Sequence, residues 1–220
     1  MKFDNIRIVI WDWNGTLLND VQYCLDILNN LLIDNELEPI TLEQYRNIFT
    51  FPVKDYYKKA GFDFSKKSFE ELGKIFIDNY EKNKHSLNLF AGAVETLEYF
   101  ESIGVEQYLL SAYKQDNLEN FVEYFKIKKF FKKIKGLDNI YAGGKTELGI
   151  ELRKQINHSK EQVVLIGDSL HDYEVAQATN AGAILVSNGH QSAEKLRLNS
   201  NFVIDDIAKL KDLIKPTTSV

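Results

Sequence analysis

The sequence of 220 residues has one cysteine, Cys24, so no internal disulfide can form. A reducing compartment is expected, with that thiol packed inside as a small hydrophobe. No apolar run approaches the ~18 residues that a membrane-spanning helix requires. Internal repeats and low-complexity segments are missing too, which argues against a solenoid or a linker-rich chain. The N-terminus reads MKFDNIRIVIWDWNG, with acids where a secretory signal needs an apolar core and small residues, so a cytoplasmic protein is expected. Neither sign of charge dominates: 27 basic against 32 acidic residues leave a net charge of −5, which disfavours nucleic acid or an anionic membrane as partner. What is present is an ordinary folded composition, 44% hydrophobic and 27% charged, and that excludes disorder.

Ile6–Trp11 is a short, β-branched, continuously apolar run. Such a run suits a strand buried on both faces of a sheet. It ends at Asp12, followed by an Asn14-Gly15 turn signal. Similar runs recur at Val105–Leu110, Val163–Ile166, Ala183–Val186 and, more weakly, Phe202–Ile204. Helical patterns lie between them, at Thr96–Ser102, Gln115–Tyr124, Thr146–Gln155 and Tyr173–Thr179. This alternation predicts an α/β fold with a parallel sheet, whose reactive groups gather at the carboxyl ends of the strands. The stretch from 20 to 86 breaks the rhythm. It carries amphipathic helical patterns near Asp20–Asp34, Leu42–Phe49, Val53–Lys59 and Phe69–Lys84, with a capping-box spacing from Thr41 to Gln44. The expected organisation is a core of 1–18 and 88–220, with an all-helical cap inserted at 19–87.

Four short signals follow four predicted strands. Asp12-Trp13-Asn14-Gly15-Thr16 comes first, then Ser111, then Lys145 after Gly143-Gly144, then Gly167-Asp168-Ser169-Leu170-His171-Asp172. Taken singly, each has an ordinary meaning: a turn former, a surface residue, or first-turn acids favoured by the helix dipole. Taken in order at strand ends, they supply a carboxylate nucleophile, a hydroxyl, a cation and an acidic metal site on one rim. Attack by a carboxylate on an anionic phosphoryl group needs that combination. A metal ion held by carboxylates such as Asp168 neutralises the approach, and Lys145 and Ser111 meet the phosphoryl oxygens. Gly15 permits a tight turn beneath the phosphate. Asp172, four residues after Asp168, would share its side of a helix and support the metal.

This set resembles the haloacid dehalogenase-like hydrolase superfamily, with its Asp-x-Asp-x-Thr loop, Ser or Thr, Lys, and Gly-Asp-x-x-x-Asp loop. The helical insert resembles the cap of the phosphoglycolate phosphatase-like branch. The resemblance implies a Rossmann-like core, a magnesium cofactor, a small phosphorylated metabolite as partner, and an aspartyl-phosphate intermediate. It makes Asp12 the nucleophile, with Ser111 and Lys145 on the phosphoryl group and Asp168 a magnesium ligand. The candidate substrate-binding set is Gly15, Thr16, Ser111, Ala112 and Lys145; the candidate metal set is Asp12, Asn14, Asp168 and Asp172.

The chain departs from that pattern at Asn14, where the phosphatases carry a second Asp that protonates the leaving group and then activates water. An amide cannot exchange a proton in that way, although its main-chain carbonyl can still bind a metal. General acid–base help is worth ~10²–10⁴ in rate. Phosphates whose leaving group needs no proton are therefore the expected substrates. His171 and Tyr113 are conceivable stand-ins for the missing acid. Two other readings follow from the same departure: a phosphometabolite-binding protein without catalysis, and a sibling chemistry such as dehalogenation or phosphonate cleavage. Against the last, nothing marks Lys54 or Lys58 as a Schiff-base lysine. Gly144-Lys145-Thr146 lacks the earlier glycine of a P-loop, since Asn139 stands there. The basic run Lys126–Lys135 is expected to be a solvated helix with Phe130 and Phe131 tucked under it. Tyr45, Phe49, Tyr56 and Tyr57, at helical spacing, are expected in the core of the cap.

Overall fold

The structure, a computed structural model, describes residues 3, 5–138 and 144–215. Its centre is a six-stranded sheet in the order β5-β4-β1-β6-β7-β8, in which every paired neighbour is parallel. The strands are β1 (Ile8–Trp11), β4 (Glu106–Lys114), β5 (Phe131–Leu137), β6 (Val163–Gly167), β7 (Gly182–Val186) and β8 (Val203–Ile204). Between β1 and β4 the chain passes through a short antiparallel ribbon, β2 (Leu18–Asn19) with β3 (Asn88–Leu89). Helices α1 (Val21–Asp34), α2 (Leu42–Ile48), α3 (Val53–Ala60) and α4 (Phe69–Asn83) all lie between the two ribbon strands. Helices α5 (Ala93–Ser102), α6 (Gln115–Tyr124), α7 (Lys145–Arg153), α8 (Leu170–Ala178), α9 (Ala193–Asn199) and α10 (Leu210–Leu213) accompany the sheet.

The continuous apolar runs become the middle of the sheet for the reason the composition suggests. Every residue of β1 and of β6 is buried, and full burial of each such side chain is worth ~1.5–3 kcal/mol. Trp11 and Gln107 show how polar atoms survive there. The indole Nε1 donates to Gln107 Oε1 at 2.9 Å, and Gln107 Nε2 donates to Leu97 O at 2.9 Å. The capping box from Thr41 to Gln44 is present at the start of α2, and a second, Ser68 with Glu71, opens α4.

Two elements differ from the expected pattern. The basic run is not a helix: a single 3-10 turn, Lys128–Phe130, leads into β5. This is the edge strand of the sheet. Its exposed lysines, Lys132 and Lys133, suit an edge that must not pair with another chain, while Phe130 and Phe131 are buried as expected. Lys145 does not stand at a strand end but opens α7, behind Gly144 at φ 98°. Gly143, and Asn139 with it, lies outside the described residues.

Candidate active site

The register of the central strands brings the predicted signals together. Trp11 pairs with Leu109 on one side and Ile166 on the other. Asp12 is one residue beyond Trp11, and Ser111 and Asp168 are each two residues beyond its partners, so all three reach the same rim. Lys145 arrives from the start of α7, and its Nζ contacts both Asp12 Oδ1 and Asp172 Oδ1. Carboxylate oxygens of Asp12, Asp168 and Asp172 all lie within 4.8 Å of one another, and all three residues are buried. Ser111 is buried too; its Oγ accepts from the Tyr113 amide at 3.0 Å, which leaves its own O–H to donate. Thr16 donates its hydroxyl to Asp12 Oδ2 at 3.0 Å, so it holds the carboxylate. Ala112 lines the cavity.

Gly15 has a structural reason to be glycine. Its φ is 72°, and a Cβ there would overlap Asp168 Oδ2 and His190 Cδ2. Its amide is already engaged, by Leu18 O at 3.0 Å and Asp20 Oδ1 at 2.9 Å. Its contribution is thus the turn and the close approach.

Asp172 serves two partners at once. In the first turn of α8, one of its oxygens accepts from Ser169 N at 3.0 Å and Ser169 Oγ at 2.6 Å, closing a capping box. The other oxygen holds Lys145. Burial disfavours its charge, but Lys145 and Ser169 outweigh that and hold its pKa below the ordinary value. Asp12 shares the same lysine without the helix donors. Burial raises its pKa, Lys145 opposes, and the Asp172 charge adds to the rise. Burial likewise raises Asp168, against the opposing charge of His190. For Lys145, burial is outweighed by its two carboxylates and the ammonium is held charged. One lysine among three buried carboxylates leaves the group short of positive charge. Hard oxygen donors with surplus negative charge are what a magnesium ion takes, so the residues fit the cofactor the sequence suggests.

A family model for haloacid dehalogenase-like hydrolases matches residues 9–186. The chain belongs to that family. It is therefore an enzyme of the hydrolase class, built on the α/β fold described above. Among its relatives, a phosphoglycolate phosphatase of Pseudomonas putida is 23% identical over 97% of this chain and 82% of its own. A pyrophosphatase, PpaX, of Listeria monocytogenes is also 23% identical, over 96% of this chain and 97% of its own. A haloacid dehalogenase-like hydrolase structure from Streptococcus pneumoniae superposes with a TM-score of 0.81 at 16% identity, covering 96% of this chain and 99% of that one.

Beside these residues lies a second buried group that the sequence did not reveal. Asp20 precedes α1 but makes no side-chain cap. Its carboxylate turns into the site and accepts from Asn14 Nδ2 at 2.7 Å, Tyr80 O–H at 2.9 Å and Gly15 N. The Cys24 thiol, buried as expected, lies 3.6 Å away. His190 Nε2 stands 3.3 Å from Asp20 Oδ1, and its Nδ1 is 2.8 Å from the Tyr45 hydroxyl. Burial disfavours charge on both, yet each favours the other's charged form: Asp20 is held low and His190 high. The His190 main-chain N–H also donates to Asp168 Oδ2. The two residues considered as stand-in acids are otherwise occupied. His171 pairs with Glu174 at 3.3 Å, and the Tyr113 hydroxyl donates to Glu81.

Proposed function

We propose that the protein hydrolyses a small phosphate monoester in a magnesium-dependent reaction through a phospho-Asp12 intermediate. The helices of 19–87 act as a cap over a core of 1–18 and 88–220, in the cytoplasm. The observation that carries this reading is the meeting of Asp12, Ser111, Lys145 and Asp168 in one buried cavity from four distant parts of the chain.

Asp12, Asp168 and the main-chain carbonyl of Asn14 are the ligands proposed for magnesium, with Asp172 ordering the loop. The ion, when bound, supplies the positive charge that lets a carboxylate approach a phosphoryl group. An Asp12 oxygen bonds to phosphorus as the ester P–O bond breaks, and the leaving oxygen departs with the bonding pair. Water then attacks phosphorus, which frees the Asp12 carboxylate and releases phosphate. Lys145 and Ser111 donate to the phosphoryl oxygens throughout. Thr16 and Lys145 keep the nucleophile aimed.

Asn14 shapes the choice of substrate. Its amide is tied to Asp20 and Tyr80 and gives up no proton. Aryl, acyl and anhydride phosphates, whose leaving groups depart unaided, are favoured over alkyl phosphates. That one relative is named a pyrophosphatase agrees with this preference. Phosphate release over a metabolite panel, with and without magnesium, tests the reading. Asp12→Asn should bring turnover to background. Equal rates on an aryl and an alkyl phosphate would remove the leaving-group preference, and tight phosphate binding with no turnover would replace catalysis by binding.

A further inference from the structure

Above the carboxylates the cavity changes character. It encloses about 200 Å³, and a cavity of roughly 150 Å³ already holds benzene. Its upper wall is a run of rings from α2 to α4. Phe49 lies on the His190 imidazole with centroids 4.9 Å apart and planes 20° from parallel, and Phe51 sits 4.8 Å from the His171 ring. Tyr56, Tyr57 and Phe69 continue the wall.

Two observations say what this chamber accepts. The first is charge. Its floor holds the carboxylates of Asp12, Asp20, Asp168 and Asp172. Among the described lining residues the lysines are Lys145, locked between Asp12 and Asp172, and Lys114, 42% exposed and 4.0 Å from Asp116. A second anionic group on a substrate, such as a carboxylate, would enter an apolar chamber with four acids beneath it, where the buried basic groups are already paired, Lys145 with Asp12 and Asp172 and His190 with Asp20. The second is Gly73. It lines the chamber within α4, where alanine would favour the helix, and a Cβ there would meet nothing within 4 Å. The wall is open at that point.

We propose that this chamber seats an uncharged aromatic group, packed between the α2–α3 rings and the open backbone at Gly73, so that the substrate class is a phosphomonoester of a phenol. This rests on the phosphatase reading above but selects by the shape and charge of the leaving group, not by its acidity.

Titration calorimetry on the full chain with Mg²⁺ separates the two, because phosphonates bind without being hydrolysed. Benzylphosphonate should bind at least about tenfold more tightly than phosphonoacetate, the factor expected for burying a ring. Gly73→Leu, which fills the gap on a helix that tolerates leucine, should weaken benzylphosphonate about tenfold and leave methylphosphonate unchanged. Lys114→Met should leave benzylphosphonate binding unchanged. Equal or tighter binding of phosphonoacetate, lost in Lys114→Met, would overturn the proposal, as would a Gly73→Leu variant that weakens all phosphonates alike. A benzylphosphonate preference without phosphate release from phenyl or acetyl phosphate would sink hydrolysis and leave the chamber assignment standing. No binding of either phosphonate would end both.

Discussion

The floor and the roof of the cavity handle burial in opposite ways. The floor, at the carboxyl ends of β1, β4 and β6, buries charge and compensates it with a single lysine, helix donors and a histidine. The roof, on α2, α3 and α4, buries rings and carries almost no charge. The comparison teaches that reactivity and selection sit on different elements. Perturbing the floor should move stability and chemistry together, whereas perturbing the roof should leave the chemistry in place.

Lys145→Met should have the largest effect. It strips the cation from two buried carboxylates, and breaking such a group costs ~3–5 kcal/mol. Urea unfolding in magnesium-free buffer reads this, and a loss below about 1 kcal/mol would mean the floor does not need its lysine. Asp20→Ala comes next, at about 3 kcal/mol, since the Gly15 amide, Asn14 amide and Tyr80 hydroxyl all lose their acceptor. Asn14→Asp should cost stability and gain chemistry. The new carboxyl would face Asp20 where the amide now donates at 2.7 Å, so the pair must retain a proton. That proton serves an alkoxide leaving group, and alkyl phosphate turnover should rise ~10²-fold.

A pH series sharpens the contrast further. Burial raises Asp12 and Asp168 above their unfolded values, and Asp20 raises His190 against its own burial. The native state then holds more protons than the unfolded one. The corresponding stability is fully present at low pH and is lost as pH rises, from ~4 for the carboxylates and ~6.5 for the histidine. Asp20 and Asp172 are held low and act in the opposite sense, losing their contribution only on acidification below ~4. In EDTA the unfolding midpoint should therefore fall as pH rises from ~4 to about 8, the value to which burial pushes Asp168. His190→Gln should flatten the part above ~6.5, and added magnesium should raise the midpoint by mass action. The smallest expected effect belongs to the roof. Gly73→Ala should add ~0.5–1 kcal/mol to stability without slowing phosphate release from acetyl phosphate.

Much of the floor is legible in the sequence alone, because β1, β6 and β7 are continuous apolar runs and the polar signals of β1 and β6 follow their runs directly. What escapes has physical causes. β5 is an edge strand that carries Lys132, Lys133 and Lys135, so it shows no apolar run at all. Asp20 stands before a helix, where an acid has an ordinary local meaning as a cap, and only the tertiary structure reveals that it makes no cap and faces Asn14 instead. His190 and Tyr80 are joined to it across 170 and 60 positions of sequence, and no spacing rule reports such distances. The aromatics of α2 and α3 are expected in a helical core. Tyr45, Tyr56 and Tyr57 are buried, yet they also border a void, and periodicity cannot distinguish a ring that fills space from one that frames it.

The β2–β3 ribbon has a practical consequence. Asn19 pairs with Asn88, so the intervening segment leaves and re-enters the sheet side at neighbouring points, and a different segment could be grafted there without moving the ends. Yet a graft cut at 19 and 87 would discard the carboxylate that receives the Gly15 amide and the tyrosine that shares it. A chimaera meant to exchange only selectivity has to keep the original residues at 20 and 80, however foreign the rest of the insert.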